Sequence, residues 1–295
     1  MSKFTEGIRA SVHGKIERSV DPPVLRAVEF RRRFFMLERL TTQEDWRWDQ
    51  SRLQFSVEKI TRRACDPSFW TCISRSFYYP EYKTLIELGC APGNSSAQLV
   101  VGTNLAAYGV DFSENSESYL QTMLNIGKEA TLYREDVLQF SPAMRFDVVC
   151  SSGLIEHFRG IALHNLLRKH DELLAPGGQL IIQLPNFTGL QYVWHYLFDK
   201  HNLDIHNVDS MQPGTFAMFE GMGYEVLYSG YQGQFEVWGV SRFNRDGRHS
   251  PLSYAAGGLN LVVTELSKLA GRVGIKLQGQ ALSPVYLFIA RKPHH

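Results

Sequence analysis

From Lys83 onward the chain alternates short β-branched or aliphatic runs with helical stretches, and this rhythm constrains the fold more than any other property. The runs are TLIELG (84–89), AAYGVD (106–111), ATLYRED (130–136), FDVVCSS (146–152) and GQLIIQLP (178–185). Between them lie SSAQLVV, ENSESYLQTMLNIG and IALHNLLRKHDELLA, which read as helices. Short apolar runs bounded by Gly, Pro or Asp are the pattern of strands buried on both faces. Strand alternating with helix predicts an open, doubly wound α/β sheet with helices on both sides. After Pro185 the regularity degrades through PNFTGLQYVWHYLFDKHNLDIHN, rich in aromatic residues, His and Asn. A helix in PGTFAMFEGMG and a strand in YEVLYSGY follow. A helix from about 259 to 272 and a last strand in SPVYLFIARK complete a mostly parallel, seven-stranded sheet.

Residues 1–82 do not share that rhythm. Asp21-Pro22-Pro23 is a turn or linker, and Thr41 and Glu44 stand in capping-box spacing ahead of a helix expected over 42–64. Trp46, Leu53, Val57 and Ile60 share one face of it. The expected organisation is a helical N-terminal extension (1–82) capping the site, then an α/β core (83–295) with an insertion at about 232–284. Of 295 residues, 31 are Lys or Arg and 30 Asp or Glu, so no global charge draws the chain to nucleic acid or an acidic membrane. Residues 1–85 nevertheless hold 16 basic against 11 acidic side chains, which fits a positively charged cap on a mildly acidic core.

Cys65, Cys72, Cys90 and Cys150 form no CxxC pair and have no His at zinc-finger spacing, so they read as free thiols of a reducing compartment. The first residues lack the apolar core of a signal peptide. The uncharged stretch 179–198 carries Pro185, Asn186, Gln191 and His195, which does not suit a lipid-facing helix. These readings place the protein in the cytoplasm, away from membranes.

The stretch that carries chemistry is Leu85-Ile86-Glu87-Leu88-Gly89-Cys90-Ala91-Pro92-Gly93-Asn94. A buried strand runs through a glycine turn directly into a helix. Glycine there permits a tight turn and the approach of a ligand. The spacing is neither the GxGxxG of dinucleotide sites nor the GxxxxGK[ST] of phosphate loops, so the ligand is not a nucleotide polyphosphate. Glu87, at the strand end, is placed to meet a cation. Asp111 ends the second strand about twenty residues on, where a carboxylate suits a ribose diol; the lesser reading is a cap for the next helix. Asp136 ends the third strand and reads either as a ligand contact or as a solvated acidic turn.

These motifs resemble those of the class I S-adenosylmethionine-dependent methyltransferases. The acidic-x-Gly-x-Gly-x-Gly motif of that family is matched at Glu87, Gly89 and Gly93, with Ala91 in place of the middle glycine. The resemblance covers the order of elements from 83 to 186 and, more loosely, the closing strands. It implies S-adenosyl-L-methionine as cofactor, held by Glu87, Gly89, Cys90, Ala91 and Gly93 at the first turn. Asp111 and Phe112 would follow at the second strand end, Asp136 and Val137 at the third, and Ser151 on the fourth. It implies transfer of a methyl group from a sulfonium to a nucleophile. Glu156 and His157, after the fourth strand, are then the catalytic candidates: His157 is a base for a hydroxyl or ammonium, or a histidine bonded to the adjoining helix or cofactor. Some relatives place a metal on Glu-x-x-Glu-His; Gly153 occupies the first Glu position here, so no metal is expected. Ser151-Ser152-Gly153-Leu154 lacks the Asp/Asn-Pro-Pro-Tyr of amino-directed DNA enzymes.

Tyr192, Trp194 and His195, together with Tyr228, Tyr231 and Trp238, supply aromatic surface for a small cyclic or sugar-like acceptor, or are core. The expected activity is methylation of a small molecule, at oxygen by preference. Amine methylation, RNA methylation gripped through Arg31-Arg32-Arg33, and a binding module without catalysis are the alternatives.

Overall fold

β1 (Thr84–Leu88) is the strand around which the sheet is laid out, with β2 (Ala106–Val110) on one side and β4 (Phe146–Ser152) on the other, both parallel to it. The computed structural model describes residues 81–101, 103–198, 200–235 and 251–294. The expected helical extension, apart from residues 81 and 82, lies outside the described residues, as do Arg31, Arg32, Arg33, Cys65, Cys72 and Trp238.

Among the described residues seven strands form one sheet in the order β3-β2-β1-β4-β5-β7-β6. β3 (Ala130–Tyr133) and β5 (Leu174–Pro185) continue the parallel arrangement outward. β7 (Val285–Arg291) inserts antiparallel between β5 and β6 (Glu225–Gln232). The seven runs read from the sequence are thus the seven strands, and the doubly wound, mostly parallel expectation holds.

Helices α1 (Asn94–Val100), α2 (Ser118–Asn125) and α3 (Gly160–Leu173) connect the parallel strands. Leu85, Ile86, Leu88, Val148, Val149, Leu180 and Ile182 have essentially no exposed surface, because helices cover both faces of these strands. Beyond β5 come α4 (Gly189–Phe198), α5 (Lys200–Asp204) and α6 (Ala217–Gly221). Phe216 and Phe219 lie against Phe288 of β7, with ring centroids 4.5 and 5.9 Å away. Helix α7 (Pro251–Arg272) starts eight residues before the expected position. β5 likewise starts four residues early, because Ala175-Pro176-Gly177-Gly178, which reads as a turn, continues as strand. A Cβ on Gly178 would lie 2.8 Å from the carbonyl oxygen of Asp147, so the absent side chain lets the strand pass that close. None of the helices among the described residues is long and apolar enough to cross a membrane.

The start of the sheet is pinned by one carboxylate. Asp147 Oδ2 accepts from the N–H of Lys83 (2.8 Å), the N–H of Thr84 (2.9 Å) and Thr84 Oγ1 (2.9 Å), while Asp147 N–H donates to Thr84 Oγ1 (3.0 Å). Replacing it leaves two backbone donors of the central strand without their acceptor. Asp147→Ala is expected to lower stability by about 1–3 kcal/mol in urea unfolding. A change below about 0.5 kcal/mol, the range of neutral surface substitutions, would show that water serves those donors equally well.

Candidate active site

Because β1 to β5 are parallel, their C-terminal ends share one edge of the sheet. The strand order reverses between β1 and β4, and open α/β sheets bind ligands in the crevice at such a switch point. The glycine turn after β1 and the Gly153–His157 segment after β4 meet at this crevice. A Cβ on Gly89, whose φ is +65°, would stand 2.8 Å from Leu154 Cδ1.

Local chemistry dictates the form of the turn. Helix α1 has Gly93 (φ +95°) as its N-cap, which brings no side chain to satisfy the first N–H groups. Glu87 supplies the acceptor from the strand: its Oε2 takes the N–H (2.9 Å) and Oγ (2.6 Å) of Ser96. The carboxyl is nevertheless pushed up to about 7, chiefly because burial strips its water, with the Ser96 hydrogen bonds opposing. The cation expected opposite Glu87 is thus replaced, at this oxygen, by the positive end of a helix. Gly93 is required for packing as much as for its backbone angle, since a Cβ there would stand 3.1 Å from Tyr119 Cδ2 and 3.3 Å from Thr122 Cβ.

Asp111, at the end of β2, holds the turn from the other side. Its Oδ2 accepts the N–H of Ala91 (3.0 Å) and its Oδ1 the N–H of Ser113 (2.8 Å), while each oxygen keeps lone-pair capacity for a further donor. Phe112 beside it is 76% exposed, an aromatic face standing free at the rim. Asp136 shapes its own turn: Oδ1 accepts Leu138 N–H at 2.9 Å and Oδ2 faces Gln139 Nε2 at 3.3 Å. Val137 is buried beneath it. The Cys90 side chain points inward against Gly109, so Cys90 faces the crevice with backbone only, and Ala91 does so through the N–H held by Asp111. Ser151 also turns inward. Its hydroxyl meets His170 Nε2 at 2.9 Å, and His170 Nδ1 meets the Leu166 carbonyl at 2.8 Å. A carbonyl only accepts, so Nδ1 carries the proton and the Ser151 hydroxyl donates to Nε2. Burial holds this imidazole down at about 4, which keeps it neutral.

After β4 the chain makes a 3₁₀ turn, Ile155–His157, that delivers Glu156 and His157 to the rim. Glu156 is 1% exposed, and its Oε2 has no hydrogen-bond partner among the described residues. Desolvation pushes its carboxyl up to about 8. His157 is exposed at one edge; loss of water around its ring lowers its pKa, opposed by a hydrogen bond to the Ile205 backbone. Its ring lies 4.6 Å from that of His206, which sequence reasoning did not single out. One donor atom each from Glu156, His157 and His206 lie within 4.8 Å of one another. The 204–207 loop is clipped there: Asn207 N–H donates to the Glu156 carbonyl (2.6 Å), Asn207 Nδ2 to that of Phe158 (2.9 Å), and Arg159 to those of Asp204 and His206. Gly153 stands where the Glu-x-x-Glu-His relatives carry a carboxylate, and the third side chain of this cluster, His206, arrives from fifty residues away.

Beside this cluster opens a depression of about 680 Å³ lined by Arg159, Gly160, Tyr192, Leu203, Asp204, His206, Asn207, Val208 and Asp209. That volume is within the range of small-molecule sites. Of the four expected acceptor-binding residues, Tyr192 lines it. Trp194 packs on Phe198 at 4.6 Å and the buried His195 on Phe187 at 4.3 Å. Tyr231 sits edge-on to Tyr286 at 5.1 Å in the β6–β7 core, away from the depression.

A family model described as a methyltransferase domain matches residues 58–229, more than half of the chain. Solved structures similar to it include a SAM dependent methyltransferase from Archaeoglobus fulgidus, with 18% identity, 73% of this chain and 88% of that chain covered, and a TM-score of 0.47. The N-methyltransferase NodS from Bradyrhizobium japonicum WM9 matches with 13% identity, 80% and 97% coverage, and a TM-score of 0.45. The magnesium protoporphyrin IX methyltransferase from Synechocystis PCC 6803 matches with 12% identity, 90% and 93% coverage, and a TM-score of 0.47. No curated protein matches the sequence.

The turn depends on a glycine outside the motif. A Cβ on Gly109 of β2 would stand 2.5 Å from Cys90 Sγ and 2.9 Å from Tyr119 Cζ, both buried. Gly109→Ala is therefore expected to lower stability by about 1–3 kcal/mol and to weaken S-adenosylhomocysteine binding at the displaced turn. Calorimetric titration showing wild-type affinity in this variant would contradict the packing account.

Proposed function

The chain belongs to the methyltransferase-domain family and is an S-adenosylmethionine-dependent methyltransferase, and from that premise we propose that it methylates a hydroxyl of a small molecule. The carrying observation is the Glu156–His157–His206 cluster at the β4 end of the switch-point crevice, beside a depression of small-molecule size. The other end of the crevice suits the cofactor. Asp111 offers carboxylate oxygens to a ribose diol, Phe112 an open aromatic face, and Asp136 a partly exposed carboxylate to an adenine amino group. When bound, S-adenosylmethionine supplies an electrophilic methyl group on sulfur.

The chain's own residues have three tasks. The turn held by Glu87 and Asp111 fixes the backbone on which the cofactor rests, before any ligand arrives. The depression orients the acceptor, with Tyr192 as an apolar wall and Arg159 as a cationic rim. The cluster is where the acceptor hydroxyl loses its proton. His157 reaches solvent and, with its pKa lowered, is neutral at pH 7, the form that accepts a proton. A hydroxyl needs this help and a free amine does not, which is why oxygen is preferred over nitrogen.

The test is transfer of labelled methyl from S-adenosylmethionine to panels of small hydroxyl compounds, small amines and RNA, at low and high salt. Transfer to hydroxyl compounds, insensitive to salt, is expected. His157→Ala should slow it by roughly 10²–10⁴-fold while S-adenosylhomocysteine affinity is unchanged. An unchanged rate would remove His157 from the chemistry; transfer to amines alone, or to RNA with steep salt dependence, would replace the reading.

A further inference from the structure

We propose that α7, with α4 beside it, is the contact surface for a second copy of this chain, the two α7 helices packing antiparallel about a two-fold axis. Helix α7 has an inward side and a separate apolar seam. Ala256 and Ser267 are buried on the inward side, with Val263 and Ala270 at its edge. The seam is Leu259, Val262, Leu266, Leu269 and Val273, all 49–67% exposed. These residues step alternately by three and four positions, the a/d repeat with which the side chains of one helix seat between those of another. Val273 N–H donates to the Leu269 carbonyl at 3.2 Å, so helical geometry reaches the last seam residue. Gly274, at φ +84°, then ends the helix.

The flanks of the seam select the occupant. On the inward flank stand Val263 and Ala270, which carry no charge. On the outer flank stand Glu265 and Arg272, one heptad apart and opposite in sign. Antiparallel packing that sets Leu266 against Leu269 of the second copy also sets Val262 against its Val273 and Glu265 against its Arg272. The two-fold axis makes each of these pairings occur twice. In a parallel pair Glu265 would face Ala270, and the charges would find no partner across the seam. A flank that carries both members of its own ion pair is self-complementary, as a contact between identical copies requires. Glu265 also meets Lys268 of its own helix at 2.6 Å, so the pairing with Arg272 sets orientation more than affinity. A bilayer would call for a basic flank, and Glu265 interrupts this one.

Helix α4 enlarges the surface. It contains no Asp, Glu, Lys or Arg, and it exposes Leu190, Val193 and Leu197, again three and four residues apart. With the α7 seam, these half-exposed Leu and Val side chains present on the order of 700 Å² per copy, close to the roughly 800 Å² per partner of a standard interface. An apolar patch of that size marks a contact site on a protein surface.

The test is sedimentation of the full chain over a range of concentrations, with S-adenosylhomocysteine affinity measured in each variant as the check on an intact fold. The wild type should dimerise as concentration rises, and Leu266→Glu should be monomeric. Glu265→Arg and Arg272→Glu, which place like charges opposite each other twice, should each weaken the dimer by roughly tenfold. The double variant carrying both reversals should recover the wild-type association. A wild type that stays monomeric, or a dimer that survives Leu266→Glu, would overturn the surface. Failure of the double reversal to restore association would overturn the antiparallel pairing. A monomer that floats with phosphatidylglycerol vesicles would give the same face to a lipid surface instead.

Discussion

Gly109 has no Cβ, and for that reason Cys90 and Tyr119 can close over β2 and let the turn after β1 rest against it. The acceptors at the crevice depend on that approach. Only with the turn drawn in does the N–H of Ala91 reach Asp111 Oδ2. The same seating lets Glu87 cap α1 from inside the sheet, since the αL glycine at the N-cap offers nothing of its own. The rim is thus built by two carboxylates that serve the backbone first: Glu87 is committed to a helix, whereas Asp111 retains capacity for a ligand. A preorganised rim of this kind has its donors and acceptors oriented before a ligand arrives, so binding does not have to order them.

The opposite end of the crevice follows a different physical rule. At the glycine turn Glu87 Oε2 is satisfied within the fold; at Glu156 a buried carboxylate oxygen is not. Dehydration moves both acids in the same direction, Glu87 to about 7 and Glu156 to about 8. What separates them is the Ser96 N–H and hydroxyl that Glu87 has and Glu156 lacks. One unmatched carboxylate oxygen thus lies where the acceptor would bind, beside the two imidazoles and the open depression.

The strand pattern was legible because parallel strands buried on both faces must be nearly uninterrupted apolar runs, and each such run here became a strand. Glu87, Asp111 and His157 were legible by position, since each stands at a strand end. Other features depended on packing that a linear pattern does not carry. Gly109 looks like an ordinary residue within AAYGVD, and its need is visible only against Cys90 and Tyr119. Gly257 and Gly258 weakened the helical signal at the start of α7, and Gly177-Gly178 imitated a turn inside β5. His206 has no fixed spacing from His157; it is brought close by Asn207, whose amide bonds the Phe158 carbonyl. Aromatic richness in 185–207 pointed to the right region but not to the right residues, because α4 turns Tyr192 toward the depression and buries His195 against Phe187.

Cofactor and acceptor are proposed to occupy two ends of one crevice, and a crystal structure of the full chain grown with S-adenosylhomocysteine tests this most directly. The ribose hydroxyls should lie on the Asp111 carboxylate and the adenine against Phe112, with the sulfur facing the Glu156–His157–His206 cluster. A ligand seated elsewhere, or one whose sulfur faces away from that cluster, would contradict it.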